Sequence, residues 1–245
     1  METKRFLHIL KPSGTVYSGE SQYTIREVFS LKKQSCFYSI CLLTAFVLWT
    51  AAVRLVDVQA IGPVGSFVGF AELNSFVHGL TGVHLGLYLL TDWLSLIPVI
   101  CVLGFALLGL RQWIRRKSLF RVDRSILVLG GFYLLTGAAY LFFEKCIINF
   151  RPVLIDRILE ASYPSSTTML VICVMSTTGL QLQERILNPR LRKGIRVLIA
   201  AFTLFMVMGR LISGVHWITD IIGGILLSLG LVMLYAWLTA KKETA

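Results

Sequence analysis

The chain has 245 residues, 56% of them apolar, and a mean hydropathy of +0.73. A soluble domain of this length does not carry so apolar a composition, which excludes that class and indicates a polytopic membrane protein. The net charge of +11 is spread over short membrane-proximal segments, which suits an anionic leaflet and gives no support to nucleic-acid binding.

Residues 1–34 read as a basic cytoplasmic tail that lacks the continuous apolar run of a signal peptide. Within it, 23–33 is predicted to form a short interfacial amphipathic helix. Six stretches approach the ~20 residues needed to cross a bilayer: Ser35–Leu55, Trp93–Leu110, Ser125–Phe143, Ser165–Leu182, Val197–Met208 continued to Gly214, and Trp217–Leu238. The fold class expected is therefore all-α, a bundle of about six transmembrane helices formed by residues 35–240. Residues 241–245 make a short cytoplasmic tail. Segment 56–92 mixes six glycines with apolar residues, Glu72, Asn74, His78 and His84. It is too polar for a lipid-exposed span and too apolar for a solvated loop. It reads as a packing loop, or as a re-entrant or surface-lying helix over a lipid substrate.

Orientation follows from the basic residues. With both termini in the cytoplasm, the tails and the loops around 111–124 and 185–196 hold 19 of the 24 lysines and arginines. Only Arg54, Lys145, Arg151, Arg157 and Arg210 remain at the other boundary, as the positive-inside rule requires. A seventh span would place two basic segments on opposite sides. The five cysteines show neither a disulfide framework nor a metal-ligand spacing. Short loops and a lean architecture fit a bacterial plasma membrane.

Three polar clusters then fall at the outer boundary: Lys145…Arg151-Pro152, Tyr163-Pro164-Ser165-Ser166-Thr167-Thr168, and Arg210…His216…Asp220. Ionisable groups beside a membrane interior are costly and are functional candidates by default. Ser165, Ser166 and Thr167 suit a helix start, and the same hydroxyls and N–H groups can cradle a phosphate. Lys145 and Arg151 can snorkel at the interface or bind an anion. His216 and Asp220, four residues apart, share one helix face. That pair is either structural or a nucleophile with its orienting carboxylate, and Arg210 beside it favours the second reading.

These residues resemble the signature of the type-2 phosphatidic acid phosphatase superfamily, which also contains the vanadium haloperoxidases. The family pattern is Lys-x6-Arg-Pro, Pro-Ser-Gly-His and Ser-Arg-x5-His-x3-Asp. Here the third part reads Gly209-Arg210-x5-His216-x3-Asp220. The first, Lys145-x5-Arg151-Pro152, is one residue short, and the second, Pro164-Ser165-Ser166-Thr167, has threonine where the family has histidine. The likeness spans about residues 90–240. It implies His216 as the nucleophile that forms a phosphohistidine and Asp220 as its orienting partner. It further implies Lys145, Arg151, Arg210, Ser165 and the backbone around Ser166 and Thr167 as the phosphate site. No metal or other cofactor is expected, because cationic side chains neutralise the phosphoryl charge.

Thr167 removes the family's general acid. General-acid catalysis contributes ~10²–10⁴-fold, and an alkoxide leaving group, about as basic as hydroxide (pKa near 15.7), needs it. A phosphate leaving from a diphosphate, with a relevant pKa of about 6, does not. The expected substrate is thus an isoprenoid diphosphate such as undecaprenyl diphosphate, with His78 or His84 as replacement acids to consider. The alternatives are a phosphotransferase of the same fold, a catalytically silent lipid-phosphate binder or translocation protein, and a transporter. The last lacks an inverted repeat.

Overall fold

The computed structural model describes residues 25–240. The cytoplasmic tail before Ile25, the start of the predicted interfacial helix and the last five residues lie outside them. Eight α-helices follow in chain order: α1 Ile25–Leu55, α2 Ala71–Thr81, α3 Leu85–Leu94, α4 Leu96–Arg116, α5 Arg124–Lys145, α6 Ser166–Gln183, α7 Pro189–Ile212 and α8 Ile218–Thr239. Among the described residues, β-pairing is confined to isolated bridges in loops. The protein is an all-helical membrane fold.

Among the described residues, five segments are long and apolar enough to cross a membrane: Lys33–Leu55, Leu85–Arg116, Arg124–Lys145, Pro189–Ile212 and Ile218–Thr239. Helix α6 runs between them and has the length of a crossing, 18 residues. Its lower hydropathy has a packing cause. Thr167, Thr168, Thr177, Thr178 and Gln181 are buried against protein, where the side chains of Thr167, Thr177 and Gln181 bond to neighbouring groups. Thr177 Oγ1, for instance, donates to Cys173 O at 2.8 Å.

Three element boundaries differ from expectation. From Ile25 onward, the stretch expected as a separate interfacial helix is the first part of α1, a continuous helix of 31 residues. At 1.5 Å per residue it extends about 46 Å, beyond the ~30 Å hydrocarbon core. The second span starts at Leu85, not Trp93, because α3 and α4 meet at Ser95 with little interruption. Asp92 looked like a boundary in the sequence, but Arg210 Nη2 lies 3.2 Å from its Oδ1 and neutralises it. Helix α7 begins at Pro189, since Asn188 caps it through Oδ1, accepting from Arg190 N at 3.0 Å and Leu191 N at 3.3 Å.

The 56–92 segment is mostly helical, with a 3₁₀ turn at Pro63–Gly65 before α2 and α3. Helix α2 packs on the start of α8: the Asn74 side chain donates to Thr219 Oγ1 at 3.0 Å and accepts from Thr219 N at 3.3 Å. Gly69 permits this. A Cβ there would lie 1.7 Å from Val53 O.

Helix α8 is the central element, packed chiefly on α1 and α6. Small residues let the backbones approach, as is common between membrane helices. Ser39 Oγ donates to Gly230 O at 2.9 Å, and a Cβ on Gly230 would meet Leu43 at 2.8 Å. The main buried cluster joins Phe46 and Val53 of α1 with Leu129, Phe132, Met169, Cys173, Leu231 and Tyr235, and with Tyr163 from the loop before α6. At one end of the bundle, Gln181 Nε2 reaches Ser125 O and Arg124 Nη2 reaches Leu238 O. At the opposite end, Trp49 Nε1 donates to Thr219 O, Arg54 Nη2 to Ile147 O, and Ser165 N to Asp220 O. The polar clusters collect at this second end.

Candidate active site

The loop between α5 and α6 is a small hairpin. Ser162 N donates to Asn149 O at 2.9 Å, Arg151 N donates to Glu160 O at 3.1 Å, and Ile155 and Ile158 exchange backbone bonds. The connecting residues, Asp156 and Arg157, both have positive φ, 49° and 65°, which is the signature of a tight type I′ turn. The pairing sets Asn149 opposite Ser162, and both side chains point at Asp220.

Asp220 is the third residue of α8 and fully buried. Three hydrogen bonds hold its carboxylate: Asn149 Nδ2 to Oδ1 at 3.1 Å, Ser162 Oγ to Oδ2 at 2.6 Å, and Trp217 N to Oδ2 at 3.0 Å. The last is a helix-start contact in which the third residue reaches back to the cap.

His216 does not bond Asp220 directly. Its Nδ1 lies 4.0 Å from Asp220 Oδ2 and 2.9 Å from Ser162 Oγ. Serine has one hydroxyl hydrogen, which goes to the carboxylate, so Ser162 Oγ accepts from His216 Nδ1–H. That tautomer leaves a lone pair on Nε2, which is buried and has no protein partner. Burial, and next the charges of Arg151 and Arg210, hold the imidazole's pKa well below its usual range, against the opposing effect of the Ser162 backbone. The ring is neutral at physiological pH, the form a nucleophile needs.

Two guanidinium groups accompany this ring. Arg210 is 2% exposed; its Nη2 contacts Thr167 Oγ1 and Asp92, its Nη1 contacts Thr91 Oγ1 at 3.4 Å, and its guanidinium carbon lies 4.8 Å from the Tyr88 ring centroid. Arg151 lies on the hairpin with Nε 2.9 Å from Glu160 Oε2, close enough for an ion pair but not aligned as a hydrogen bond. Arg151 Nη1, Arg210 Nε and His216 Nε2 are all buried without a partner. An unpartnered buried polar group costs ~1–3 kcal/mol. Three of them, two cationic and one nucleophilic, describe a site built to receive an anion.

Of the residues expected from the sequence, the fold brings together His216, Asp220, Arg151, Arg210, Ser165 and Thr167. Ser165 is buried, caps α6 by accepting from Thr168 N at 3.5 Å, and ties that helix to α8 through its own N–H to Asp220 O. Ser166 is half-buried and lines a narrow cleft that also holds His216. Lys145 is the exception. It ends α5 exposed, with no hydrogen bond or ion pair to a site residue. His78 and His84 are also engaged elsewhere: His78 Nε2 bonds Gly214 O at 3.1 Å and His84 Nε2 bonds Thr81 O at 2.9 Å. The sequence reading missed Ser162 and Asn149, which become visible only through the hairpin.

An apolar cavity of about 410 Å³ between α4, α5 and α6 reaches the site at Ser166 and Thr167 and is walled by Val99, Val102, Tyr133 and Tyr140.

The profile of the PAP2 superfamily matches residues 134–243, the stretch containing all of these side chains except Tyr88, Thr91, Asp92, Val99, Val102, Tyr133 and the two histidines His78 and His84. No curated protein matches the sequence. Among solved structures, the chain is similar to a transmembrane PAP2-type phosphatidylglycerolphosphate phosphatase from Bacillus subtilis. The two are 18% identical with a TM-score of 0.56, covering 82% of this chain and 94% of that one. The helical membrane fold is thus shared along most of both chains, and the part of this chain that carries the site, residues 134–243, is similar to the PAP2 superfamily.

Proposed function

We propose that the protein is an integral membrane phosphatase that acts on a lipid phosphate, with isoprenoid diphosphate as its preferred class and undecaprenyl diphosphate as the first substrate to try. The carrying observation is the convergence of His216 Nε2, Arg151 Nη1 and Arg210 Nε, buried and unpartnered, at one end of a membrane bundle. The phosphatase named in the similar structure supports the same reaction class.

In this reading the lipid tail occupies the cavity beside Tyr133 and Tyr140, and the phosphoryl group meets the two guanidinium groups. His216 Nε2 attacks phosphorus, the bond to the leaving oxygen breaks, and phosphohistidine forms. Positive charge develops on the ring, and the Nδ1–H···Ser162···Asp220 chain stabilises it. Water then hydrolyses the intermediate. Because Thr167 is engaged by Arg210 and is no acid, the first step favours a leaving group that departs unprotonated, as the lipid monophosphate does when the terminal phosphoryl of a diphosphate passes to His216. The charge distribution supports a site on the extracytoplasmic face.

Purified protein in lipid nanodiscs should release phosphate from undecaprenyl diphosphate and lose this activity in His216→Ala. Thr167→His should raise turnover of monoesters, by up to ~10²-fold, and leave diphosphate turnover little changed. Equal gains on both classes, or full activity in His216→Ala, would refute the assignment.

A further inference from the structure

A leaving group that departs unprotonated makes the missing histidine dispensable in the first half-reaction alone. The second half-reaction begins from water, whose pKa of 15.7 makes it a poor nucleophile until a base takes its proton. Thr167 cannot do so: its hydroxyl is held by Arg210. A base must lie elsewhere near His216.

The described carboxylates at this end of the bundle can be taken in turn. Asp220 is buried behind Ser162, with three donors on it. Asp92 pairs with Arg210, and Glu160 lies 2.9 Å from Arg151. Asp57 takes the Glu72 N–H at 2.8 Å and the Gln59 amide, which hold its pKa below the usual carboxylate range. Glu72 on α2 and Asp156 at the hairpin turn are exposed, but neither lines the cleft that holds His216. Glu144 differs from all six. It sits one residue before the end of α5, exposed, and its side-chain partner is Tyr140 on the same helix.

Glu144 also faces the right place. A cleft of about 10 Å³, close to what one water molecule needs, is lined by Tyr140, Glu144, Ser162, Ser166 and His216. Tyr140 is one helical turn before Glu144, so the two side chains lie on one face of α5. Tyr140, Ser166 and Met169 line both this cleft and the larger apolar cavity. The lipid side and the His216 side therefore meet at Tyr140, where a departing lipid vacates the position that water must take for in-line attack.

We propose that Glu144 is the general base for hydrolysis of the phosphoenzyme, with Tyr140 helping to hold the water. This rests on the phosphohistidine reading above. The Glu144 carboxylate takes one proton as the water oxygen bonds to phosphorus; the phosphorus–Nε2 bond breaks, its electron pair returns to His216, and inorganic phosphate leaves.

The test follows turnover and protein labelling with undecaprenyl diphosphate carrying ³²P in the terminal phosphate, using the full chain in nanodiscs. Glu144→Gln should release the first equivalent of lipid product at the wild-type rate and then slow by roughly 10²–10⁴-fold. Acid-labile, base-stable label should accumulate on the protein. Glu144→Ala, which opens space for a small acid, should recover part of its turnover with added formate. Steady-state turnover of Glu144→Gln within twofold of wild type would overturn the proposal, and so would loss of the first-turnover burst. Full turnover in His216→Ala, with no label on any variant, would instead bring down the phosphohistidine reading itself.

Discussion

Ser162 has one hydroxyl hydrogen and lies between an acceptor, Asp220 Oδ2, and a ring nitrogen, His216 Nδ1. The carboxylate can only accept, so the hydroxyl's direction is decided, and with it the tautomer of the ring. Removing that oxygen leaves the two groups 4.0 Å apart, beyond hydrogen-bond range. Ser162→Ala is expected to lower kcat by roughly 10²–10⁴-fold, the range seen when a catalytic imidazole loses its orienting partner. The pH profile separates this from a collapsed site. His216's pKa is depressed by burial and by Arg151 and Arg210, so the neutral form persists as pH falls through the normal imidazole range near 6.5. The acid limb of kcat/KM should therefore lie well below pH 6.5 in the wild type. It should not rise in Ser162→Ala, because a hydroxyl oxygen accepting from Nδ1–H favours the protonated ring. Arg151→Gln should move the limb upward. A limb that rises in Ser162→Ala would mean the ring had become solvated, and the relay would be the wrong explanation. His216, Asp220 and Arg210 were legible because their spacing lies on one short stretch of chain. Ser162 was not, since nothing local distinguishes it from any other loop serine.

At the scale of elements, the hairpin between α5 and α6 decides which of the outer residues reach the site. Its turn residues, Asp156 and Arg157, adopt positive φ without being glycine or asparagine, so the usual sequence signature of a type I′ turn is missing. That is why no turn was legible in the segment, and why Asn149 and Ser162 could not be paired from sequence. It also explains Lys145. The helix ends there, and the chain must cross the site before the hairpin brings Arg151 inward, leaving the lysine outside. Arg157→Gly removes a side chain from the left-handed region, where a non-glycine residue costs roughly 1 kcal/mol. The variant should resist proteolysis in the 146–165 loop at least as well as the wild type, with a gain of up to ~1 kcal/mol in loop stability and unchanged kcat. Easier cleavage or lower kcat would show that the Arg157 side chain does more than complete a turn. Caps and helix lengths were easier to read than this turn, as Asn188–Pro189 illustrates: the signal for the start of α7 was present and outweighed by the basic residues that follow it.

For the whole molecule, the apolar composition gave the bundle and the basic loops gave an expected orientation, whereas tertiary pairing reassigned individual charges. Asp92 is the clearest case: a boundary in the sequence becomes Arg210's partner inside a longer kinked span. The remaining question of sidedness has a native reporter. Cys146 is exposed at the end of α5 that carries the site, while Cys36 lies near the start of α1, Cys41 and Cys101 lie within helices, and Cys173 is buried. If the positive-inside arrangement holds, a membrane-impermeant maleimide added to intact cells should modify Cys146. Cys146→Ser should abolish that labelling without touching activity, because the sulfur belongs to none of the site's hydrogen bonds. Lipid phosphate added to the outside in the presence of an uncoupler should still be hydrolysed, since neither the imidazole nor the guanidinium groups draw on the membrane potential. Labelling of Cys146 only after permeabilisation would invert the bundle, place the basic loops outside, and move every proposed step of the reaction to the cytoplasmic leaflet.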